Sequence, residues 1–455
     1  MMRDRWQDMK TAAVLILTVL IMAMVPGCSV FSGKDPGDIS GSNGNGSGIV
    51  DGYPSEENGP AGENSNENSG SQDSSDTEDK EDSENKDAKY SVEERLARMS
   101  LDEKIGQMFI IGVEGASADE KLKQSIATLK PGGIILFRDN IKDPEQLLSF
   151  TNALKAANNG RTPLFISIDE EGGRISRMPK QLPGMPSAMS LGELDDPAFT
   201  YVAGRLLAEK IKTFGFNMDF APVLDILSNP KNTVIGDRAF GTDPLSVAEH
   251  GIQMMKGIRD EGVIAVVKHF PGHGDTEVDS HYGLPAVTHG MERLEGFELV
   301  PFRKALDEDA DAVMVAHIVV GSLDPDLPAS LSGPVITGLL RDKMGFDGVV
   351  ITDDMTMGAI MENFDIGDAA VQSILAGSDI ILVCHGYDKQ KAAMDALKKA
   401  VGTGTVDEAR IDRSVARILR LKDKYEITDN TLENADVNRI NEKIEGVLSK
   451  WYNVN

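Results

Sequence analysis

Cysteine is scarce in this chain. Of its 455 residues only Cys28 and Cys384 are cysteines, and they sit in very different surroundings. No disulfide framework follows, and without a Cys-x-x-Cys pair no cysteine-based zinc motif can be built. Positive charge is short as well: 46 Lys and Arg stand against 73 Asp and Glu, a net charge of −27, which argues against a nucleic-acid partner. Aromatic residues are only 5% of the chain. Together with abundant charged groups, that points to a small polar ligand. Long apolar runs are few. Ala12 to Val25 follows a basic start at Arg3, Arg5 and Lys10, suits the core of an export signal, and is short for a membrane span.

That run stops at Val25-Pro26-Gly27-Cys28. Small residues before a lone cysteine resemble a bacterial lipobox, which implies cleavage before Cys28 and lipid on its sulfur; the other reading is an uncleaved anchor. Residues 1–28 are thus expected to be a signal, with the remainder outside the cytoplasm and held at the membrane. Residues 29–89 are mostly Gly, Ser, Asn, Asp and Glu. They cannot bury enough apolar surface to offset their ordering entropy, and they read as a disordered acidic tether. The cluster GSNGNGSG at 41–48 is no nucleotide fingerprint, because no strand precedes it and no helix follows.

From Tyr90 the pattern changes. Short apolar runs, read as buried strands, alternate with amphipathic stretches. The strands are expected at 107–111, 133–137, 163–168, 216–221, 263–268, 312–316, 348–352 and 379–383. Helices are expected between most of them, as at 197–214, 245–261, 291–307 and 367–377, and again at 388–401 and 407–425. This alternation predicts an α/β fold, a (β/α)8 TIM barrel over 90–430, with a doubly wound open sheet as the other solution. Residues 431–455 read as a C-terminal helical tail, and no room remains for a second large domain.

Charged residues recur just past the strand ends, the active face of such a barrel. Asp169, Glu170, Glu171 and then Arg177 follow the third strand. Asp225 and Arg238 follow the fourth. Lys268 and His269 end the fifth, and a loop with His273, Asp275, Asp279 and His281 comes next; His317, Asp353 and His385 close the later strands. Three of the seven histidines fall in the short stretch around the fifth strand. A loop so rich in titratable groups, launched from a buried strand, is a site candidate. Asp169, Arg177, Arg238, Lys268 and His269 can form a polar shell around sugar hydroxyls, although the arginines would equally suit a carboxylate or phosphate. The loop's His and Asp residues could ligate a divalent ion, but none of the helical zinc motifs is present. His317 and His385 read as satisfied strand-end histidines.

Lys268-His269-Phe270-Pro271-Gly272-His273-Gly274 with Asp279-Ser280-His281 resembles the signature of bacterial β-N-acetylglucosaminidases of glycoside hydrolase family 3. Supporting matches are Asp169-Glu170-Glu171-Gly172-Gly173-Arg174 with Arg177, Ala221 to Asp225, Ile235 to Phe240, and Thr352 to Met355. The resemblance covers roughly 92–425. It implies the barrel, release of terminal β-linked N-acetylglucosamine with retention, peptidoglycan fragments among the substrates, and a single-domain type. By resemblance Asp353 is the nucleophile, His281 the general acid/base and Asp279 its partner, while Asp169, Arg177, Arg238, Lys268 and His269 bind the sugar. No metal or organic cofactor is expected. A histidine acid/base departs from the usual pair of carboxylates, yet an imidazole titrating near ~6.5 suits proton transfer in both directions. Two other readings stand beside this one: a phosphorylase on the same scaffold, since a histidine does not repel phosphate, and a non-catalytic surface receptor for sugars.

Overall fold

The computed structural model describes residues 90–276 and 284–452. The segments expected to be signal and tether, with Cys28, lie outside the described residues, as do Asp279 and His281.

The eight expected strands form one closed parallel barrel. In chain order they are β1 (Phe109–Gly112), β2 (Gly133–Leu136), β3 (Phe165–Ile168), β4 (Met218–Asp219) and β5 (Ile264–Phe270), then, after the two-residue β6 (Ala286–Val287), β7 (Ala312–Val315). Two short strands, β8 (Val319–Val320) and β9 (Asp324–Pro328), precede the last barrel strands, β10 (Val349–Asp354) and β11 (Ile380–Val383). Around the barrel the order is β1-β11-β10-β7-β5-β4-β3-β2. Most barrel strands read as runs of Ile, Val, Leu and Phe because helices cover one face and the packed barrel interior the other. A doubly wound open sheet is therefore excluded.

Local sequence sets the helix starts. Asp143-Pro144, Asp196-Pro197 and Asp243-Pro244 each put an aspartate at the cap and a proline in the first turn, and each aspartate accepts backbone N–H bonds. Ser91 and Ser100 build reciprocal capping boxes with Glu94 and Glu103. Such caps satisfy donors that a helix start leaves orphaned. The helix Glu408–Lys424 closes the lower end of the barrel. From it Lys422 Nζ donates to Gln107 Oε1 at 2.7 Å, Gly132 O at 2.8 Å and Pro163 O at 2.5 Å. The final helix, Val437–Tyr452, also packs on the barrel, burying Ile440, Ile444 and Leu448.

Two differences from expectation bear on the site. β5 runs past the expected end at Lys268 to Phe270, so His269 also lies inside the strand, and β10 runs on to Asp354, so Asp353 does too. The pairing register shifts between Val267 and Phe270 and between Ile351 and Asp354. Both irregularities fall where the charged side chains stand, and a local bulge re-aims side chains at the end of a strand. The other difference is a small sheet of β6, β8 and β9: β6 and β8 have two residues each, and β9, Asp-Pro-Asp-Leu-Pro, is made of poor strand formers.

Candidate active site

The upper ends of the barrel strands enclose a cavity of about 420 Å³ lined by Asp169, Glu171, Arg177, Arg238, Lys268, His269, His273, Asp353 and Asp354, with Phe137, Met357 and His385 around it. A larger hollow of about 620 Å³ opens by Phe216, Asn217, Gly262 and Tyr425. It lies where β4 and β5 begin and holds none of the expected site residues, so position on the barrel outweighs size.

At the heart of the cavity is a charge cluster. Lys268 Nζ lies 2.9 Å from Asp169 Oδ1 and 2.6 Å from Glu171 Oε1. Arg238 grips Glu171 with both arms of its guanidinium, Nε to Oε2 and Nη2 to Oε1, each at 2.8 Å. Arg177 Nη2 stands 3.7 Å from the outer oxygen of Asp169. Burial opposes ionisation of Glu171, but Arg238 and Lys268 outweigh it and hold its pKa well below the ordinary carboxylate value. Burial likewise opposes a charged Lys268, and Asp169 and Glu171 reverse that, so its pKa is raised.

A second network orients His269. Its Nδ1 lies 2.6 Å from Asp225 Oδ2, and its Nε2 lies 3.2 Å from Arg238 Nη2. Arginine can only donate, so Nε2 accepts and the proton sits on Nδ1, facing Asp225. Asp225 is fully buried and also accepts from His273 N–H at 2.6 Å. Burial works against its charge, yet His269 and His273 keep its pKa lowered.

Asp353 and Asp354 are adjacent but differ in use. Asp354 accepts from Thr356 N at 2.9 Å, Thr356 Oγ1 at 2.6 Å and Cys384 N at 2.9 Å, which ties it to its own loop and to the end of β11. Among the described residues Asp353 accepts only the Asp354 N–H, at 2.8 Å, and no described cation lies within ion-pair distance of it. Burial raises its pKa, the neighbouring His317 and His269 together with the Asp354 N–H and Lys268 outweigh that, and the net shift is downward. The result is an ionised carboxylate facing a cavity with lone pairs to spare. His317 is buried and occupied on both sides, Nδ1 at 2.6 Å from Ser330 Oγ and Nε2 at 3.0 Å from the Asp354 carbonyl. His385 is exposed at the rim, its ring 5.2 Å from that of Phe137.

Six of the eight residues singled out from the sequence thus meet in one cavity: Asp169, Arg177, Arg238, Lys268, His269 and Asp353. Asp279 and His281 belong to residues 277–283, outside the described residues. The flanks of that segment are joined: His289 Nε2 lies 2.7 Å from Asp275 Oδ2, and Ser228 Oγ donates to Asp275 Oδ1 at 3.0 Å. Sequence reasoning quoted Glu171 and Asp225 within motifs but gave them no role. Their signal is a carboxylate just past a buried strand, close to those that were chosen.

A closed parallel barrel with an ionised carboxylate and a cation-rich polar shell at its upper face is an arrangement suited to a (β/α)8 glycoside hydrolase. The Glycosyl hydrolase family 3 N terminal domain matches residues 100–421, and the chain belongs to glycoside hydrolase family 3. Beta-hexosaminidase LpqI of Mycobacterium tuberculosis is 36% identical over 335 residues, covering 72% of this chain and 84% of that protein. Beta-hexosaminidase A of Pseudoalteromonas piscicida is 34% identical over 353 residues, but this chain spans only 59% of its length while 70% of this chain is matched. Among solved structures, a family 3 β-N-acetylglucosaminidase from Paenibacillus sp. str. FPU-7 superposes with a TM-score of 0.72 at 42% identity, over 77% of this chain and 69% of that one. The structure of LpqI superposes with a TM-score of 0.67 at 34% identity, over 73% and 96%.

Proposed function

We propose that this chain is a retaining exo-β-N-acetylglucosaminidase acting on glycan fragments of the cell envelope, peptidoglycan among them. The observation that carries the reading is Asp353: an ionised carboxylate on the cavity wall, engaged among the described residues by a single backbone N–H, while its neighbour Asp354 accepts three hydrogen bonds. In this reading Asp353 attacks the anomeric carbon and forms the glycosyl-enzyme bond as the leaving-group oxygen takes a proton from His281, with Asp279 supporting the imidazolium. Water, activated by the same imidazole, then releases the sugar. Asp169, Lys268, Arg177 and the His269–Arg238 pair hold the sugar hydroxyls. Lipid on Cys28 would keep the enzyme at the outer face of the membrane, which Cys28→Ala tests by release into the soluble fraction.

The catalytic assignment is tested on two substrates, an activated aryl β-N-acetylglucosaminide and a natural disaccharide. Asp353→Ala should cut turnover on both by roughly three orders of magnitude or more. His281→Ala should spare the first step on the aryl glycoside, accumulate glycosyl-enzyme and respond to azide. Equal losses on both substrates without azide rescue would remove His281 from the acid/base role, and an active Asp353→Ala would end the mechanism. A sugar 1-phosphate formed in phosphate buffer would redirect the reading to phosphorolysis.

A further inference from the structure

Of the three consecutive acidic residues after β3, Asp169 and Glu171 line the cavity and Glu170 turns beneath it. Glu170 is fully buried. Its Oε1 accepts from Ser176 Oγ at 2.8 Å and from Lys210 Nζ at 2.6 Å; its Oε2 accepts from Arg177 N at 2.8 Å and, more weakly, from Met178 N at 3.4 Å. Lys210 comes from the helix Pro197–Lys212 and is buried as deeply. The Glu170 N–H donates to Asp219 Oδ1 at 3.0 Å, and burial raises the Asp219 pKa well above the ordinary value.

Three of the four donors to Glu170 belong to residues 176–178, the segment that carries Arg177. The Arg177 side chain is held loosely by comparison. Its Nη2 is 3.7 Å from Asp169, and its Nε is buried with no partner among the described residues. A guanidinium with so few contacts of its own takes its position from its backbone. A buried ion pair adds little net stability, because desolvation offsets the attraction. What the pair specifies is where its hydrogen-bonded neighbours stand.

We propose that Glu170, paired with Lys210, is a positioning residue for substrate binding: its carboxylate fixes the backbone at Arg177 and so aims the Arg177 guanidinium into the sugar cavity. This rests on the reading that Arg177 binds the sugar. The pairing acts on ground state and transition state alike, so its loss raises KM and leaves kcat nearly alone.

The test uses the full chain and an aryl β-N-acetylglucosaminide. E170Q/K210M is neutral and keeps one acceptor oxygen for the Arg177 N–H; E170M/K210M is neutral, similar in volume and has none. E170M/K210M should raise KM about tenfold with kcat within about threefold, and E170Q/K210M should stay within about twofold of the wild-type KM. Placed in an Arg177→Ala background, the two pairs should give the same KM, because the coupling runs through that side chain. Equal KM for the two pairs in the wild-type background overturns the proposal, as does a further rise in KM from E170M/K210M when Arg177 is already gone. If Arg177→Ala alone raises KM while E170M/K210M does not, only the positioning role falls. If Arg177→Ala leaves KM unchanged, the sugar-binding role of Arg177 falls with it. Should E170M/K210M not fold, E170S/K210M, whose hydroxyl is too short to reach Arg177, carries the same expectations. If neither folds while E170Q/K210M does, the network serves folding and the positioning role is withdrawn.

Discussion

Glu171 stands between two cations from different parts of the chain, Lys268 and Arg238, at 2.6–2.8 Å from each. Its role was not visible in the sequence. Arg238 lies 67 positions away and the Asp225–His269 contact spans 44; neither pairing follows from spacing. Asp169, Lys268 and His269 were legible because each stands at the end of an apolar strand run and borders a dense polar loop. The pKa of Glu171 is lowered in the folded chain from its ordinary 4.5. The stability it contributes is therefore fully present above about pH 4.5 and is lost as the pH falls through the folded value. Glu171→Gln leaves two buried cations facing a neutral amide and should cost about 3 kcal/mol at pH 7. That deficit should shrink steadily below pH 4.5. Urea unfolding of both proteins at pH 7 and pH 3 measures it, and a deficit that is constant with pH would mean that Glu171 is not ionised in the fold.

At the scale of elements, the eight barrel strands could be read from short apolar runs, most of them rich in Ile and Val, because parallel strands are buried on both faces. Their ends could not. Lys268, His269 and Asp353 sit inside strands where the register shifts, and a bulge has no periodicity to announce it. The small sheet of β6, β8 and β9 escaped because its strands are two residues long or made of poor strand formers. The loop after β5 shows how tightly two such ends are fitted. A Cβ on Gly274 would come within 1.7 Å of the Ile226 carbonyl oxygen, and the Gly274 carbonyl accepts from Asn229 N at 3.3 Å. Gly274→Ala must push this loop off the segment that follows β4, and with it Asp275, which His289 ties to the far side of residues 277–283. Misplacement of about 1 Å costs a catalytic group on the order of 10²-fold. Gly274→Ala should lower kcat/KM by about that factor while the barrel keeps its far-UV circular dichroism. Unchanged kcat/KM would show that the loop's seat on Ile226 has no bearing on the chemistry.

At the scale of the whole chain, the two ends differ in how much apolar surface they offer the barrel. Residues 29–89 hold few apolar side chains, so their removal takes little buried surface from the fold. The C-terminal residues carry charges as well, but Val437–Tyr452 is amphipathic and was expected to form a helical tail with no docking surface assigned. Yet that helix buries Ile440, Ile444 and Leu448, and Arg439 and Lys443 both reach Glu209. Glu209 is buried on the helix that also carries Lys210. Full burial of an apolar side chain contributes about 1.5–3 kcal/mol, so three of them are a large share of the roughly 5–15 kcal/mol that keeps a protein folded. Cutting after Asn430 removes them and leaves Glu209 without either cation. The two ends should therefore answer truncation in opposite ways. A chain beginning at Lys89 should melt at the full-length temperature and keep its turnover. A chain ending at Asn430 should melt lower, with its remaining activity lost at correspondingly milder heat. Thermal melts followed by circular dichroism, with residual activity after each heating step, measure both. Equal melting temperatures for the full chain and the one ending at Asn430 would reduce the last helix to an appendage; a lowered melting temperature for the one beginning at Lys89 would move the start of the folded domain upstream.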